Sequence, residues 1–269
     1  NKLSPPKNNS SWKMSGLNLQ NQTGNLYLSG ANDKFLKKKI GKNKFSFSQA
    51  MSSPLFYNEN IIFSDDTGTI YNINKRGKIK WKKNIYKKVY KKIYKILTFS
   101  IYKDKLYVAD NIGFIYSIDL KNGELIWIKN HSVPLKSRIK IFEDKIFLIN
   151  QDNRIICLDT EKGSKIWDIR AISSFIKSQK FLALAISKKG KVVALTSSGD
   201  LLKIDAQIGE VDWSLNITPS MSSHETDFFQ SSEVVISKKD IIFSAASSIY
   251  SFNLDTGYTN WDKTIRTTN

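Results

Sequence analysis

One cysteine, two histidines and five arginines are spread over 269 residues, and each scarcity removes a class of chemistry. A lone Cys157, set in the apolar run RIICLD, cannot close an intramolecular disulfide and reads as a buried thiol. It leaves the redox compartment open. His131, in IKNHSVP, and His224, in MSSHETDFF, have no nucleophile motif around them and read as surface or hydrogen-bonded histidines. Together with one cysteine they are too few for a zinc site. No glycine-rich loop has phosphate-cradling spacing. No apolar run approaches the roughly eighteen residues of a membrane-spanning helix. The opening NKLSPPKNNSS is polar and proline-containing, so residues 1–11 read as a polar linker and not as a signal peptide.

Charge of one sign is also short. Lys and Arg number 42 against 24 Asp and Glu, a net charge of +18. The excess is almost all lysine, with arginine only at 76, 138, 154, 170 and 266. Base edges and phosphate backbones recruit the bidentate arginine fork, so no nucleic-acid partner is expected. The charge reads mainly as a solvated face, with an anionic protein surface or lipid headgroup as the alternative. Hydrophobic residues at 41% and aromatics at 12% give a globular composition with enough apolar material for a substantial core.

What the chain has in abundance is repetition. Five copies of one pattern occur: TIYNINKRGKIKW (69–81), FIYSIDLKNGELIW (114–127), RIICLDTEKGSKIW (154–167), DLLKIDAQIGEVDW (200–213) and SIYSFNLDTGYTNW (248–261). A glycine precedes a tryptophan by four residues in each: Gly77/Trp81, Gly123/Trp127, Gly163/Trp167, Gly209/Trp213 and Gly257/Trp261. Asp119, Asp159, Asp205 and Asn253 precede that glycine by four, and Asn74 by three. Tryptophans recur at 46, 40, 46 and 48 residues.

Each copy divides into four short strands rich in Ile, Tyr, Phe and Val with period-two alternation. Polar turns such as SDDTG, ADNIG and NQDNR separate the second strand from the third. Four antiparallel strands per 40–48 residues are the sign of a β-propeller blade. The motif then has a mechanical role: the Asp or Asn closes the turn, the Gly allows its backbone, and the Trp docks across the seam onto the next blade. A cofactor plate would occur once, not five times. The acidic residues Asp65, Asp66, Asp110 and Asp152 fall in turns and need no metal.

These copies resemble the PQQ-like repeat, approximately aliphatic-Tyr-x-aliphatic-Asp-x-x-x-Gly-x-x-x-Trp, over residues 52–265. The opening SSWKMSGLNLQNQTGN, with Trp12, Gly16, Asn18 and Asn25, is similar to the first segment of the BamB family. The family is built as eight-bladed propellers and serves the outer-membrane β-barrel assembly machinery. The expected fold is therefore all-β: a propeller of four-stranded antiparallel blades, of the eight-bladed family type. About five blades and an N-terminal strand are present, within one domain over 12–269 read as truncated, with repeats at about 52–85, 97–131, 137–171, 182–217 and 231–265. A closed ring of five or six blades is the alternative.

The resemblance implies a non-catalytic periplasmic scaffold at the inner face of the outer membrane. Its partners would be a BamA-like assembly protein and unfolded outer-membrane proteins. Any peripheral or lipid-anchored membrane association would come from residues outside this sequence. The family's partner-binding loop is loosely matched by PLKSR at 134–138, which makes Leu135, Lys136 and Arg138 candidate contacts. The acidic pair of the following loop has no counterpart in AISSFIKSQKF (171–181).

PQQ-dependent dehydrogenases share the repeat, and that likeness would imply a vicinal cysteine pair, a Ca²⁺ held by carboxylates and an Asn, and a catalytic Asp. A single cysteine cannot supply the pair, so no cofactor is expected and no catalytic or metal-binding residue is assigned. A quinoprotein oxidoreductase stays as one alternative. Another is a cell-envelope glycan binder using aromatics such as Phe228 and Phe229.

One segment departs from the β pattern. NIYKKVYKKIYKIL (84–97) places Tyr86, Val89, Tyr90, Ile93, Tyr94 and Leu97 at helical spacing, with Lys87, Lys88, Lys91, Lys92 and Lys95 on the other face. The spacing predicts an amphipathic helix between blades. Lys87, Lys88, Lys91 and Lys92 become candidates for docking an acidic protein or anionic lipid.

Overall fold

The computed structural model describes residues 4–27, 36–42, 44, 53–171, 182–217, 231–245 and 247–265. Among these the chain is built from five four-stranded antiparallel sheets, each a propeller blade. The first blade comprises β1 Leu55–Tyr57, β2 Asn60–Ser64, β3 Thr69–Asn74 and β4 Ile79–Asn84. The second comprises β5 Leu97–Tyr102, β6 Lys105–Asp110, β7 Phe114–Asp119 and β8 Leu125–Asn130. The third holds β9 Lys140–Phe142, β10 Lys145–Ile149, β11 Arg154–Asp159 and β12 Lys165–Arg170. The fourth holds β13 Ala183–Ile186, β14 Lys191–Leu195, β15 Asp200–Asp205 and β16 Val211–Asn216. The fifth holds β17 Val235–Ser237, β18 Asp240–Ala245, β19 Ser248–Asn253 and β20 Thr259–Thr264.

The chain divides into two compact units. One contains residues 1–18 and 23–132, and the other residues 19–22 and 133–269.

Strict in–out alternation is not what the middle strands show. β3, β7 and β11 are each buried at four consecutive positions. In the second unit the fourth blade displays the reason. Leu184, Ile186, Val192, Ala194, Leu202 and Ile204 pack with Phe147, Ile149, Ile155 and Cys157 of the third blade. Their neighbours Ala183, Ala185, Val193, Leu195 and Leu201 pack instead with Ile236, Ile241, Phe243 and Phe252 of the fifth. Side chains alternate between faces as a pleat requires, but each face meets an apolar surface. Only the outermost strands expose most of their residues, as β8 and β20 do.

The first unit has an equivalent core, in which Leu55, Ile62 and Ile70 join Leu97, Phe99, Leu106, Val108 and Tyr116. Its N-terminal segment adds backbone to two inner strands. Trp12 exchanges hydrogen bonds with Phe56, and Ile101 N donates to Lys13 O at 2.7 Å. The opening polar stretch is tied down as well: Lys7 N donates to Asn25 O and Tyr27 N to Lys7 O, both at 2.9 Å.

The helix expected over 84–97 does not form. A single 3-10 turn covers Lys88–Lys92, and the rest is irregular up to β5. Val89, assigned to the apolar face, is 72% exposed, and Lys95, assigned to the polar face, is 2% exposed. The Lys95 ammonium donates to Tyr90 O and Ile93 O, and burial holds it below the usual lysine range. Tyr86 is drawn inward, its hydroxyl donating to Asp110 Oδ2 at 2.7 Å. One tertiary hydrogen bond at Tyr86 and the turn of Lys95 back onto Tyr90 O and Ile93 O thus override a local helical spacing in a segment whose aromatic and β-branched residues favour helix weakly.

Candidate partner-binding surfaces

The repeated motif builds the same turn five times. Asn74 Oδ1 accepts from Arg76 N and Lys78 N at 3.0 and 2.9 Å. Asp119 Oδ1 accepts from Lys121 N and Asn122 N, and Asp159 binds Lys162 N and Ser164 N. Asp205 and Asn253 repeat this with Gln207 N and Asp255 N. Gly77, Gly123, Gly163, Gly209 and Gly257 all have φ between 65° and 76°, a region that side chains disfavour. A register shift follows in all five third-to-fourth strand pairs.

Within each unit the tryptophan of one blade lies on the glycine of the next. Trp81 covers Gly123, Trp167 covers Gly209 and Trp213 covers Gly257. Their indole Nε1 groups donate to Leu120 O, Ala206 O and Leu254 O at 3.0, 3.3 and 3.2 Å. Trp127 is half-buried on β8 and Trp261 is 47% exposed on β20.

The segment matched to the family's binding loop is woven into the second unit. Gln151 N donates to Pro134 O, Lys136 N to Ile149 O and Leu182 N to Lys136 O, at 2.8, 2.8 and 2.6 Å. Leu135 is 3% exposed, so its side chain belongs to the core and is not offered to a partner. Lys136 is partly buried, which pushes its pKa below the usual lysine range. Arg138 Nε lies 3.3 Å from Glu233 Oε1.

Beside them is a group that sequence reasoning missed. Lys140 is fully buried, and its Nζ donates to Asn21 Oδ1 at 2.6 Å. Asn21 Nδ2 in turn donates to Leu184 O and Val234 O, at 3.0 and 2.8 Å, so residues 19–22 link the inner strands of the unit. Burial lowers Lys140 to about 7, opposed by Glu233, while burial raises Glu233. The available signal was a lysine flanked by Ile139 and Ile141 in the first strand of a blade, where a charge has no solvent.

On the 84–97 segment, Lys87, Lys88 and Lys92 are exposed, while the Lys91 side chain lies outside the described residues. The region of the missing acidic pair (172–181), His224, Phe228 and Phe229 lie outside them too. His131 is partly buried.

The quinone chemistry of other PQQ-repeat proteins does not fit the residues described. Cys157 is the sole cysteine, fully buried, its thiol pushed up to about 12 by burial. The turn carboxylates are occupied: Asp65 Oδ1 accepts from Thr67 N and Thr69 N, and Asp110 Oδ1 from Ile112, Gly113 and Phe114 N. Among the described residues no three of His, Cys, Asp and Glu cluster as metal ligands would, and no helix is long and apolar enough to cross a membrane.

The sequence pattern of the family described as outer membrane protein assembly factor BamB matches residues 19–175 and 100–269. The chain belongs to that family. Within solved structures, BamB from Moraxella catarrhalis superposes with a TM-score of 0.60 at 18% identity, covering 76% of this chain and 61% of that one. The fold is also that of quinohemoprotein alcohol dehydrogenase ADHIIG from Pseudomonas putida HK5, with a TM-score of 0.74 at 12% identity over 95% of this chain and 48% of that one. By sequence, RC0314, an uncharacterised protein of Rickettsia conorii, is 26% identical over 199 residues, 72% of this chain and 46% of that protein. The chain thus spans about half the length of relatives it matches. The BamB-family fold, a PQQ-repeat propeller, is shared by proteins with different work, so function has to be argued from surfaces.

Proposed function

We propose that the chain belongs to a non-catalytic periplasmic scaffold at the inner face of the outer membrane. It aids assembly and insertion of outer-membrane β-barrel proteins, with a BamA-like protein and unfolded barrel proteins as partners. The observation that supports this reading is the set of open outer strands. β4, β8, β12, β16 and β20 each bond to a neighbour on one side only within their sheets. On β8 the aliphatic Leu125, Ile126 and Ile128 are 42%, 45% and 44% exposed. An extended, apolar-alternating segment, such as an unfolded barrel strand, can add to such an edge by backbone hydrogen bonding and rest its side chains there. Membership of the BamB family and the BamB fold agree with this reading.

The test is affinity capture from cell envelopes with the full-length protein, together with photo-crosslinking from Ile126 and Ile128. Recovery of the barrel-assembly machinery, and crosslinks to an unfolded barrel protein, are expected. Consistent recovery of an unrelated enzyme or a glycan, with no crosslink at β8, overturns the reading.

A further inference from the structure

Two turns in the second unit carry the same residues. Ile186-Ser187-Lys188-Lys189 leads from β13 towards β14, and Ile236-Ser237-Lys238-Lys239 leads from β17 to β18. The equivalent turns of the other three blades each include an acid and none has paired lysines: Glu59 in the first, Asp104 beside Lys103 in the second, Glu143 and Asp144 in the third. Blade architecture therefore does not demand lysine at this position, and paired lysines on adjacent blades need another explanation.

They line a pocket of about 470 Å³ in which Lys188, Lys189, Lys191, Lys203, Lys238 and Lys239 are six of twelve lining residues. Three of the six are compensated. Lys191 lies 2.9 Å from Asp205 and 3.1 Å from Asp212, Lys203 3.0 Å from Asp212, and Lys239 3.2 Å from Asp255. Among the described residues no carboxylate is within ion-pair distance of Lys188, Lys189 or Lys238. Gathering uncompensated ammonium groups around one concavity is repulsive, and the concave wall focuses their field on whatever enters.

The rest of the lining narrows the ligand. Gln20, Gln22, Ser187 and Ser237 add polar groups, with Gln22 Nε2 donating to Ser237 Oγ at 3.1 Å. The described lining has no aromatic ring on which a nucleobase could stack, and Leu254 is its one apolar residue. It has no arginine fork for bidentate recognition of either carboxylate or phosphate; its charges are the six lysines and Asp255, which pairs with Lys239, so a ligand would be held by net charge density. Compact tetrahedral oxyanions of high charge suit such a set.

We propose that this pocket binds a diphosphate or a cluster of phosphate groups carried on a polar molecule. The inference goes beyond the scaffold reading and does not rest on it. The experiment is calorimetric titration of the full chain with inorganic pyrophosphate, with citrate as the planar-carboxylate comparison and phosphatidylglycerol vesicles as a lipid source. Lys188→Glu/Lys238→Glu and Lys188→Gln/Lys238→Gln both change exposed turn positions, and unchanged melting temperature confirms their fold. The expected result is pyrophosphate binding that exceeds citrate binding, falls with salt and weakens by about tenfold or more in both variants. Vesicle binding without pyrophosphate binding, lost in both variants, assigns the phosphate to a lipid headgroup. Binding of neither, equal binding of citrate, or affinities unchanged in the variants overturns the proposal.

Discussion

The indole of Trp81 rests on Gly123 so closely that a Cβ added there would lie 2.7 Å from ring atoms Cδ2 and Cε3. Gly123 also has φ +76°, so Gly123→Ala meets both a strained backbone and a wedge. The left-handed conformation costs about 1–2 kcal/mol and the forced contact about 1–3 kcal/mol more. Gly24 in the same unit has φ +66° with nothing within 4 Å of a built Cβ, so Gly24→Ala carries the backbone cost alone. Urea unfolding of both variants should show Gly123→Ala the more destabilised. Equal losses would mean that the tryptophan yields without cost.

This relationship explains why the architecture was legible in the sequence. A motif of Asp or Asn, Gly and Trp repeated five times identifies a turn and its cover, whatever lies between. The site was much less legible. Likeness to a loop points to Leu135, but backbone bonds to Ile149 and Leu182 draw that segment into the core. Lys140 depends on Asn21, 119 residues away, a pairing that no local pattern contains. The paired turn lysines at 188–189 and 238–239 were present as letters, but only the neighbouring positions of β13 and β17 give them a shared pocket.

The tryptophans of the fourth and fifth blades contribute unequally. Trp213 covers Gly257 and its Nε1 is bonded to Leu254 O, whereas Trp261 is 47% exposed. Trp213→Ala should cost about 3 kcal/mol, from lost burial and an uncovered carbonyl, and Trp261→Ala about 1 kcal/mol. Chemical denaturation of the two variants, both in the second unit, measures the difference. A larger loss at Trp261 would contradict it.

Lys95 and Lys92 look alike in the periodic segment but differ in the fold. The Lys95 ammonium caps Tyr90 O and Ile93 O and sits 5.0 Å from the centre of the Tyr86 ring. Lys92 is exposed. Lys95→Met removes the charged donor to Tyr90 O and Ile93 O, of which Tyr90 O keeps Ile93 N, and should destabilise by about 1–3 kcal/mol. Lys92→Met should change stability by less than about 0.5 kcal/mol. Thermal unfolding distinguishes them, and equal effects would restore the helical reading in which both lysines face solvent.

Lys140 predicts how stability changes with pH. Burial lowers its pKa from an ordinary 10.5 to about 7, with Glu233 and Arg138 acting in opposite senses beside it. Below about pH 7 both folded and unfolded chains hold the proton, and the folded chain bears the cost of a buried charge. Above that value the folded chain releases a proton that the unfolded chain keeps up to its ordinary pKa. The unfolded state then binds more protons, so stability rises with pH. Between about pH 7 and 8.5 the rise should be about 1–2 kcal/mol, since one unit of pKa separation corresponds to about 1.4 kcal/mol. That window lies below the range where Cys157, raised from 9.0 to about 12 on folding, begins to work in the opposite direction. Lys140→Met removes the titrating group while keeping an unbranched chain in the core, so urea unfolding at a series of pH values should lose the rise. A rise that persists in the variant would place its source elsewhere than Lys140.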